Sequence, residues 1–431
     1  MILIVYTTQY RKGSDMFARV AETMRSEISE RFTGEVVCAG IVHKKELVTL
    51  FAEIAQAGKT LDEFHFIGHA GMYGPMYGTV AYPEQFSPYE LKHLSIPFSK
   101  KAQAYFHCCR SARWFAQFFA TLFQVETYGY YWYTAFSTDM KKYKKVQPNS
   151  KKVYAVGCPG KKSHGLFVSL KKQLGLQTTE DMKSFVPRKQ EEHERTYHAV
   201  AELYDAVFQD ITVRRDEWKW LEKHLPTRTD IQVVDIGCGN GALLKQLAGR
   251  IERGIGLDIS PELIHKATLL NADNAHIEFK HINGPQIPLP DHSVDVITSL
   301  LSFRYLDWDP LMDEIKRVLK PGGKVLIVDM VTVPVKWYEI PQFITSKIRS
   351  ILQRVTHRTF YTHLKKLVHH PAWQEMLRHN PIRAEHEMKW YLESRFPDTK
   401  VEKINVGWNS CILAFDSGNI ESMQDIYLTY P

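Results

Sequence analysis

The segment Val233-Val234-Asp235-Ile236-Gly237-Cys238-Gly239-Asn240-Gly241 constrains this chain more than any other. A short apolar strand runs straight into three glycines spaced by single residues, and the helical pattern Ala242–Leu247 begins at once. Glycine is required in such a turn where the backbone takes positive φ and where no side chain can stand between it and a ligand. About twenty residues on, the usual spacing for such a pair, a second strand ends in Gly256-Leu257-Asp258-Ile259-Ser260. That places a carboxylate where it can accept the hydroxyls of a ribose. Ser260-Pro261-Glu262 then reads as an N-cap, a proline at the first helical position and an acidic first turn. The segment predicts the ligand-binding edge of an open α/β sheet.

Around it lies a chain of 431 residues, long enough for two or three domains with their own cores. With 44% hydrophobic and 24% charged residues the composition is that of a folded, soluble protein, not a disordered, collagenous or membrane-embedded one. The opening Met1-Ile2-Leu3-Ile4-Val5-Tyr6 gives way at once to Thr7-Thr8-Gln9, so it reads as a strand and not as a cleaved leader. No run approaches the roughly 20 apolar residues of a spanning helix. Cys38, Cys108, Cys109, Cys158, Cys238 and Cys411 are scattered, which fits a reduced, cytoplasmic setting.

Strand and helix patterns alternate over residues 1–175, with strands near 1–7, 35–38, 64–68, 102–109, 125–131 and 152–156. Such alternation implies a parallel sheet. The chain turns polar over 176–195, the expected linker, and a second alternating series fills 196–418 before a tail at 419–431. The second series ends in two strands near 400–406 and 410–415, an outline that fits a doubly wound sheet finishing in an antiparallel pair. Residues 1–175 carry 23 Lys/Arg against 13 Asp/Glu, whereas 176–431 carry 32 against 35. The basic excess, concentrated in doublets from Lys141-Lys142 to Lys171-Lys172, is either a solvated face or a surface for an acidic partner. Without aromatic interleaving or a recognisable module, it does not point to nucleic acid.

The glycine loop and Asp258 alone also describe dinucleotide-binding dehydrogenases. Two further motifs separate the readings, Pro288-Leu289-Pro290-Asp291-His292-Ser293-Val294-Asp295 and Leu319-Lys320-Pro321-Gly322-Gly323-Lys324. Together with the loop they make this stretch resemble the class I S-adenosylmethionine (SAM)-dependent methyltransferases over nearly its whole length. The resemblance implies a Rossmann-like domain using SAM and no metal. By position it implies that Asp235, Gly237, Cys238, Gly239 and Gly241 hold the amino-acid end. Asp258 with Ile259 would hold the ribose and Asn283-Gly284 the adenine, with Ser299 at the end of the fourth strand completing the set. Asn283 stands where the family usually shows Asp, and its amide oxygen can accept the same hydrogen bond.

Arg304-Tyr305 stands where many members acting on small molecules carry paired histidines, which marks these two as the acceptor side and leaves the acceptor, small molecule or peptide, open. An insertion over about 333–397 is too long for a plain connection and is expected to be a helical lid. Within it Ile344, Ile348, Ile351, Leu352 and Val355 share one helical stripe, while Lys347, Arg349, Arg354 and Arg358 lie off it. The stripe either packs on the sheet or meets a membrane surface.

In the first series, one strand ends in His69-Ala70-Gly71 and the next long one in His107-Cys108-Cys109-Arg110-Ser111. A thiol beside an imidazole, with a helix N-terminus beyond it, is an activated nucleophile. This arrangement resembles the caspase-like cysteine peptidases, a clan with caspases, gingipains, separase and the CHAT domains. The resemblance implies a His69/Cys109 dyad on a caspase-like α/β domain that cleaves a peptide. Alternatives are a docking module that keeps the fold without the chemistry, or, for the whole chain, a SAM-binding scaffold. The expected architecture is thus two doubly wound α/β domains, caspase-like first and methyltransferase-like second.

Overall fold

The computed structural model describes residues 1–160, 166–189, 193–422 and 426, apart from the side chains of residues 166, 193–199 and 379. The chain divides into two compact units, Met1–Glu191 and Glu192–Pro431. No helix among the described residues is long and apolar enough to cross a membrane.

The first unit opens with β1 (Ile2–Thr7), α1 (Ser14–Arg31), β2 (Val36–Ile41), α2 (Lys44–Gln56) and β3 (Leu61–Ile67). The connection to the next long strand holds three short strands, β4 (Ala70–Gly71), β5 (Gly74–Gly78) and β6 (Pro83–Gln85), and α3 (Pro88–His93). Then come β7 (Phe98–His107), a 3-10 turn at Ser111–Arg113, α4 (Phe115–Phe123), β8 (Glu126–Gly129), β9 (Tyr133–Ser137), β10 (Tyr154–Cys158), α5 (Leu166–Gln173) and β11 (Lys183–Phe185). The main sheet runs β11-β8-β7-β3-β1-β2, parallel throughout except for the antiparallel edge strand β11.

Both faces of β1 are buried, which is why it reads as an unbroken apolar run. Leu3 and Val5 join Phe51 of α2, Leu91 of α3 and Phe119 of α4 on one side, and Ile2 and Ile4 join Phe17, Val20 and Ile28 of α1 on the other. On β3 and β7 one face is polar instead. His65 stacks on Tyr105 at 4.6 Å, Tyr105 stacks on Tyr128 at 4.6 Å, and His65 Nδ1 lies 3.3 Å from His107 Nε2. Burial, and then the neighbouring His65, pushes His107 down to about 3, so it stays neutral.

Two expectations need correction here. The polar stretch expected as linker contributes β11, which pairs with β8, so the first unit runs to residue 191 and not 175. Three residues are too few to show a period, and only pairing with β8 makes them a strand. The strand expected at 152–156 exists as β10 but pairs antiparallel with β9, outside the main sheet.

The second unit begins with α6 (His193–Val207) and α7 (Arg215–His224). It continues through β12 (Gln232–Ile236), α8 (Ala242–Leu247), β13 (Arg253–Asp258), α9 (Pro261–Leu270), β14 (Ile277–His281), β15 (Val294–Leu300), α10 (Trp308–Val318) and β16 (Leu319–Thr332). Four helices follow, α11 (Ile340–Thr356), α12 (Arg358–His369), α13 (Pro371–His379) and α14 (Glu385–Arg395), and the hairpin β17 (Glu402–Val406) and β18 (Ser410–Asp416) closes the series. The sheet order β14-β13-β12-β15-β16-β18-β17 is that of a doubly wound, Rossmann-like fold, with the closing pair antiparallel as expected. Strand order reverses between β12 and β15, so the crevice at their carboxyl ends is the place for a ligand. Pro321-Gly322-Gly323 does not form a separate turn. It is absorbed inside β16 as a register shift against β15.

The inserted helices do not act as one body. α14 sends Met388, Tyr391 and Leu392 into the main core, so it covers the sheet. Leu364 and Leu367 of α12 and Trp373 of α13 pack instead on Val200, Leu203 and Val207 of α6.

Candidate active site

The crevice is built from the turn after β12. Gly237, Gly239 and Gly241 have φ of 72°, 55° and 75°, all in the left-handed region. A Cβ on Gly237 would stand 2.4 Å from Cβ of Ser302, and one on Gly239 would stand 3.0 Å from the ring of Tyr204. Glycine is therefore dictated twice over at these two positions, by dihedral and by space.

Asp258 fixes the turn to the next strand. Its Oδ2 accepts from the Gly239 amide at 2.9 Å and its Oδ1 from the Ser260 amide at 2.9 Å. Burial raises its carboxyl above the usual range, and those amides oppose the rise. A carboxylate has about four acceptor positions, and these two bonds leave room for the hydroxyls of a ribose. Ile259 beside it is exposed and apolar, as a wall for a flat ring would be. Asn283, just past β14, is also exposed, on a loop tied to β13 by the bond from Ile282 N to Asp258 O at 3.0 Å.

Asp235 plays a different part. It is buried in the sheet and accepts from Thr298 Oγ1 at 2.8 Å, linking β12 to β15. Burial raises it to about 7. Cys238 is buried beneath the loop, its thiol pushed far up by burial beside Asp258 and Asp235. Ser299 and Ser302 hydroxyls both donate to the Ile236 carbonyl, at 3.1 and 2.8 Å, and so pin the strand end that launches the turn.

Two residues that sequence reasoning passed over stand above the turn. Tyr204 of α6 lies against Gly239, and burial next to Asp258 holds its phenol neutral by pushing it up. Asp205 accepts from Asn240 Nδ2 at 2.9 Å. The available signal was a Tyr-Asp pair on a helix ahead of the glycine loop. Tyr204 also falls on the apolar stripe of α6 and so reads as core.

On the acceptor side Arg304 is buried and ion-paired with Asp329, whose Oδ2 also accepts from the Arg304 amide at 2.5 Å. Burial works against the guanidinium charge, but Asp329 outweighs it and the net shift is upward. Arg304 is thus committed to Asp329. Its guanidinium also lies 4.4 Å from the ring centroid of Tyr305, whose hydroxyl is buried without a hydrogen bond of good geometry.

In the first unit, His69 and Cys109 follow the neighbouring strands β3 and β7, but no hydrogen bond joins them. His69 Nε2 donates to the Lys12 carbonyl at 3.0 Å, and its ring sits edge-on to Phe17. Cys109 Sγ lies 3.3 Å from Thr134 Oγ1 and accepts from Thr134 N at 3.3 Å. The helix N-terminus expected just beyond Cys109 is not there. Arg110 has φ of 60°, a single 3-10 turn follows, and α4 starts only at Phe115.

Residues 234–327 match the family model described as a methyltransferase domain. The second unit contains a methyltransferase domain. Its cofactor is SAM, and a turn of three glycines held at positive φ, with the buried carboxylate of Asp258 at the end of the next strand, fits that molecule. The chain is 32% identical over 133 residues to the tRNA(Thr) (cytosine(32)-N(3))-methyltransferase of Saccharomyces cerevisiae, 26% of this chain and 21% of that protein. It is 29% identical to the 27-O-demethylrifamycin SV methyltransferase of Amycolatopsis mediterranei, over 33% of this chain and 53% of that protein. It is also 29% identical to the demethylmenaquinone methyltransferase of Lactococcus lactis, over 34% of this chain and 62% of that protein. The chain thus spans less than two thirds of these relatives' lengths. Among solved structures, a SAM-dependent methyltransferase from Aquifex aeolicus aligns with 53% of this chain and 99% of its own, at 18% identity and a TM-score of 0.34.

The pH response of the sheet follows from Asp235. Folded, it keeps its proton up to about pH 7, whereas unfolded it loses it near 3.8. Between those limits the folded state binds more protons, so this group's contribution to stability falls as pH rises. Urea titrations from pH 4 to pH 7 should show a steeper decline for the native chain than for Asp235→Asn. Parallel profiles would contradict the assignment.

Proposed function

We propose that the second unit transfers the methyl group of SAM to a small-molecule acceptor. The observation that carries this is the turn Gly237–Gly241, its three glycines at positive φ and its Gly239 amide bonded to Asp258, inside a methyltransferase-domain match. Bound SAM supplies an electrophilic methyl carbon on a positively charged sulfur. The chain's own residues bind and orient. The loop amides and the Tyr204 phenol face the amino-acid end, Asp258 accepts from the ribose hydroxyls, and Ile259 and Asn283 meet the adenine. Tyr305 lines the acceptor side, with Arg304 and Asp329 fixing the turn that presents it. Alignment of acceptor with donor is the main task in such a displacement, and α12 and α13, packed on the helix that carries Tyr204, form the lid that excludes water.

A small molecule is favoured over a nucleic acid because residues 176–431 carry 32 Lys/Arg against 35 Asp/Glu, a poor balance for a polyanion. Two of the three relatives above are named for demethylmenaquinone and 27-O-demethylrifamycin SV, and one for a tRNA. A peptide remains the alternative acceptor.

Calorimetric titration tests the reading. The native chain should bind SAM with measurable heat, Asp258→Ala should weaken binding about tenfold or more, as loss of charge-assisted hydrogen bonds does, and Gly239→Val should abolish it. No heat from the native chain at millimolar SAM would end the proposal.

For the first unit we propose a reactive thiol at Cys109, the cysteine-peptidase reading, supported by the placing of His69 and Cys109 just past the carboxyl ends of the adjacent parallel strands β3 and β7. The bonds to Lys12 and Thr134 must open before the two side chains can pair. Iodoacetamide near neutral pH should label Cys109 ahead of buried Cys108, and His69→Ala should slow that labelling. Equal labelling of all cysteines, or no effect of His69→Ala, would leave a docking module as the reading of this unit.

A further inference from the structure

Helix α11 carries its apolar stripe on the wrong side for a core. At 100° per residue, Ile340, Ile344, Ile348, Ile351, Leu352 and Val355 fall within an arc of about 120°. Every one of them is exposed, Ile348 at 55%, Leu352 at 63% and Val355 at 77%, and no residue of the helix is buried. The residues turned toward the protein are Phe343, Ser346, Ser350 and Gln353, which are half-buried and mostly polar. Of the two readings of this stripe, packing on the sheet is the one the structure overturns.

The surroundings say what covers it. From residue 340 to residue 374 the chain has six Lys/Arg and no Asp or Glu. Lys347 and Arg354 lie on the helix at one border of the stripe, where long cationic side chains can reach phosphates while their stems stay in hydrocarbon. At the same end as the start of α11 stand Trp337, 81% exposed, and Tyr338, and the ring of Phe343 lies 5.8 Å from Trp408, 69% exposed at the β17–β18 turn. Exposed Trp and Tyr beside an aliphatic stripe edged by cations are what an interfacial helix presents to a bilayer. RNA would match the cations but not the aliphatic stripe.

We infer that α11 and the Trp408 turn dock on an anionic membrane surface. Both sit at the carboxyl edge of the sheet, since α11 follows the end of β16 and Trp408 joins β17 to β18 there. The glycine turn opens on that same edge, so docking brings the cofactor site to the bilayer. The acceptor class is then an amphiphilic or membrane-resident small molecule, a conclusion that rests on the methyl-transfer reading, whereas the docking itself does not.

Flotation of the full chain tests the docking with vesicles of phosphatidylcholine alone and of phosphatidylglycerol and phosphatidylcholine in equal parts. The native chain should float with the anionic vesicles and not with the neutral ones. Ile348→Glu combined with Leu352→Glu should cut the bound fraction about tenfold or more, and Lys347→Glu with Arg354→Glu should weaken it, each without change in thermal unfolding or in SAM binding. Since these side chains are exposed, folding is preserved, and SAM binding reports separately on the cofactor site. No flotation overturns the inference, as do equal binding to neutral vesicles and RNA binding that the Lys347/Arg354 variant loses while vesicles are ignored. A dimer that the Ile348/Leu352 variant dissociates also overturns it, because the stripe is then covered by a second copy.

Discussion

The carboxylate of Asp258 is the constraint on which the ligand site depends. A turn with three residues at positive φ has little reason to keep one shape, because glycine loses more conformational freedom on ordering than any other residue. The bond from the Gly239 amide to a buried carboxylate that the Ser260 amide also holds limits that freedom, and the Gly237 and Cys238 amides add bonds of 2.7 and 3.0 Å to the Leu257 carbonyl. Ser302 packs against Gly237 and Tyr204 against Gly239, and these two side chains bound the loop. Asp258 thus sets the cradle and faces the ligand at once.

A buried ion pair and a buried hydrogen bond stiffen the neighbouring strands. Arg304 and Asp329 connect the end of β15 to β16, and Asp235 with Thr298 connects β12 to β15. A buried ion pair adds little net stability compared with an apolar pair, but removing one partner leaves an uncompensated charge. The ion pair therefore holds a register more than it raises stability, and together with the Asp235–Thr298 bond it ties the three strands whose carboxyl ends form the crevice. The first unit uses neutral polar contacts for its strands, with His65, Tyr105 and Tyr128 stacked across β3, β7 and β8.

The parts of this arrangement that depend on short-range chemistry were legible in the sequence. The glycine turn, Asp258, the Ser260 cap accepting from Leu263 N at 3.3 Å and nearly every strand of the second unit follow from local pattern. What depended on distant packing was not. Tyr204 sits on an apolar stripe like any core residue, and only the placement of α6 turns it over the loop. β11 is a strand only because β8 pairs with it, and Arg110 stops a helix by a left-handed dihedral that no motif announced. Arg304, marked by position for the acceptor side, proved committed to Asp329. The orientation of α11 was undecidable from periodicity, which gives the stripe and not the direction it faces.

A crystal structure of the full chain with S-adenosylhomocysteine would show whether Asp258 and the glycine turn hold the cofactor. The account predicts the amino-acid end against Gly237–Gly241 and Tyr204, both ribose hydroxyls within hydrogen-bond reach of Asp258, about 3 Å, and the sulfur turned toward Tyr305 and the inserted helices. A ligand bound elsewhere, or Asp258 still holding both amides with no sugar near it at saturating ligand, would contradict it.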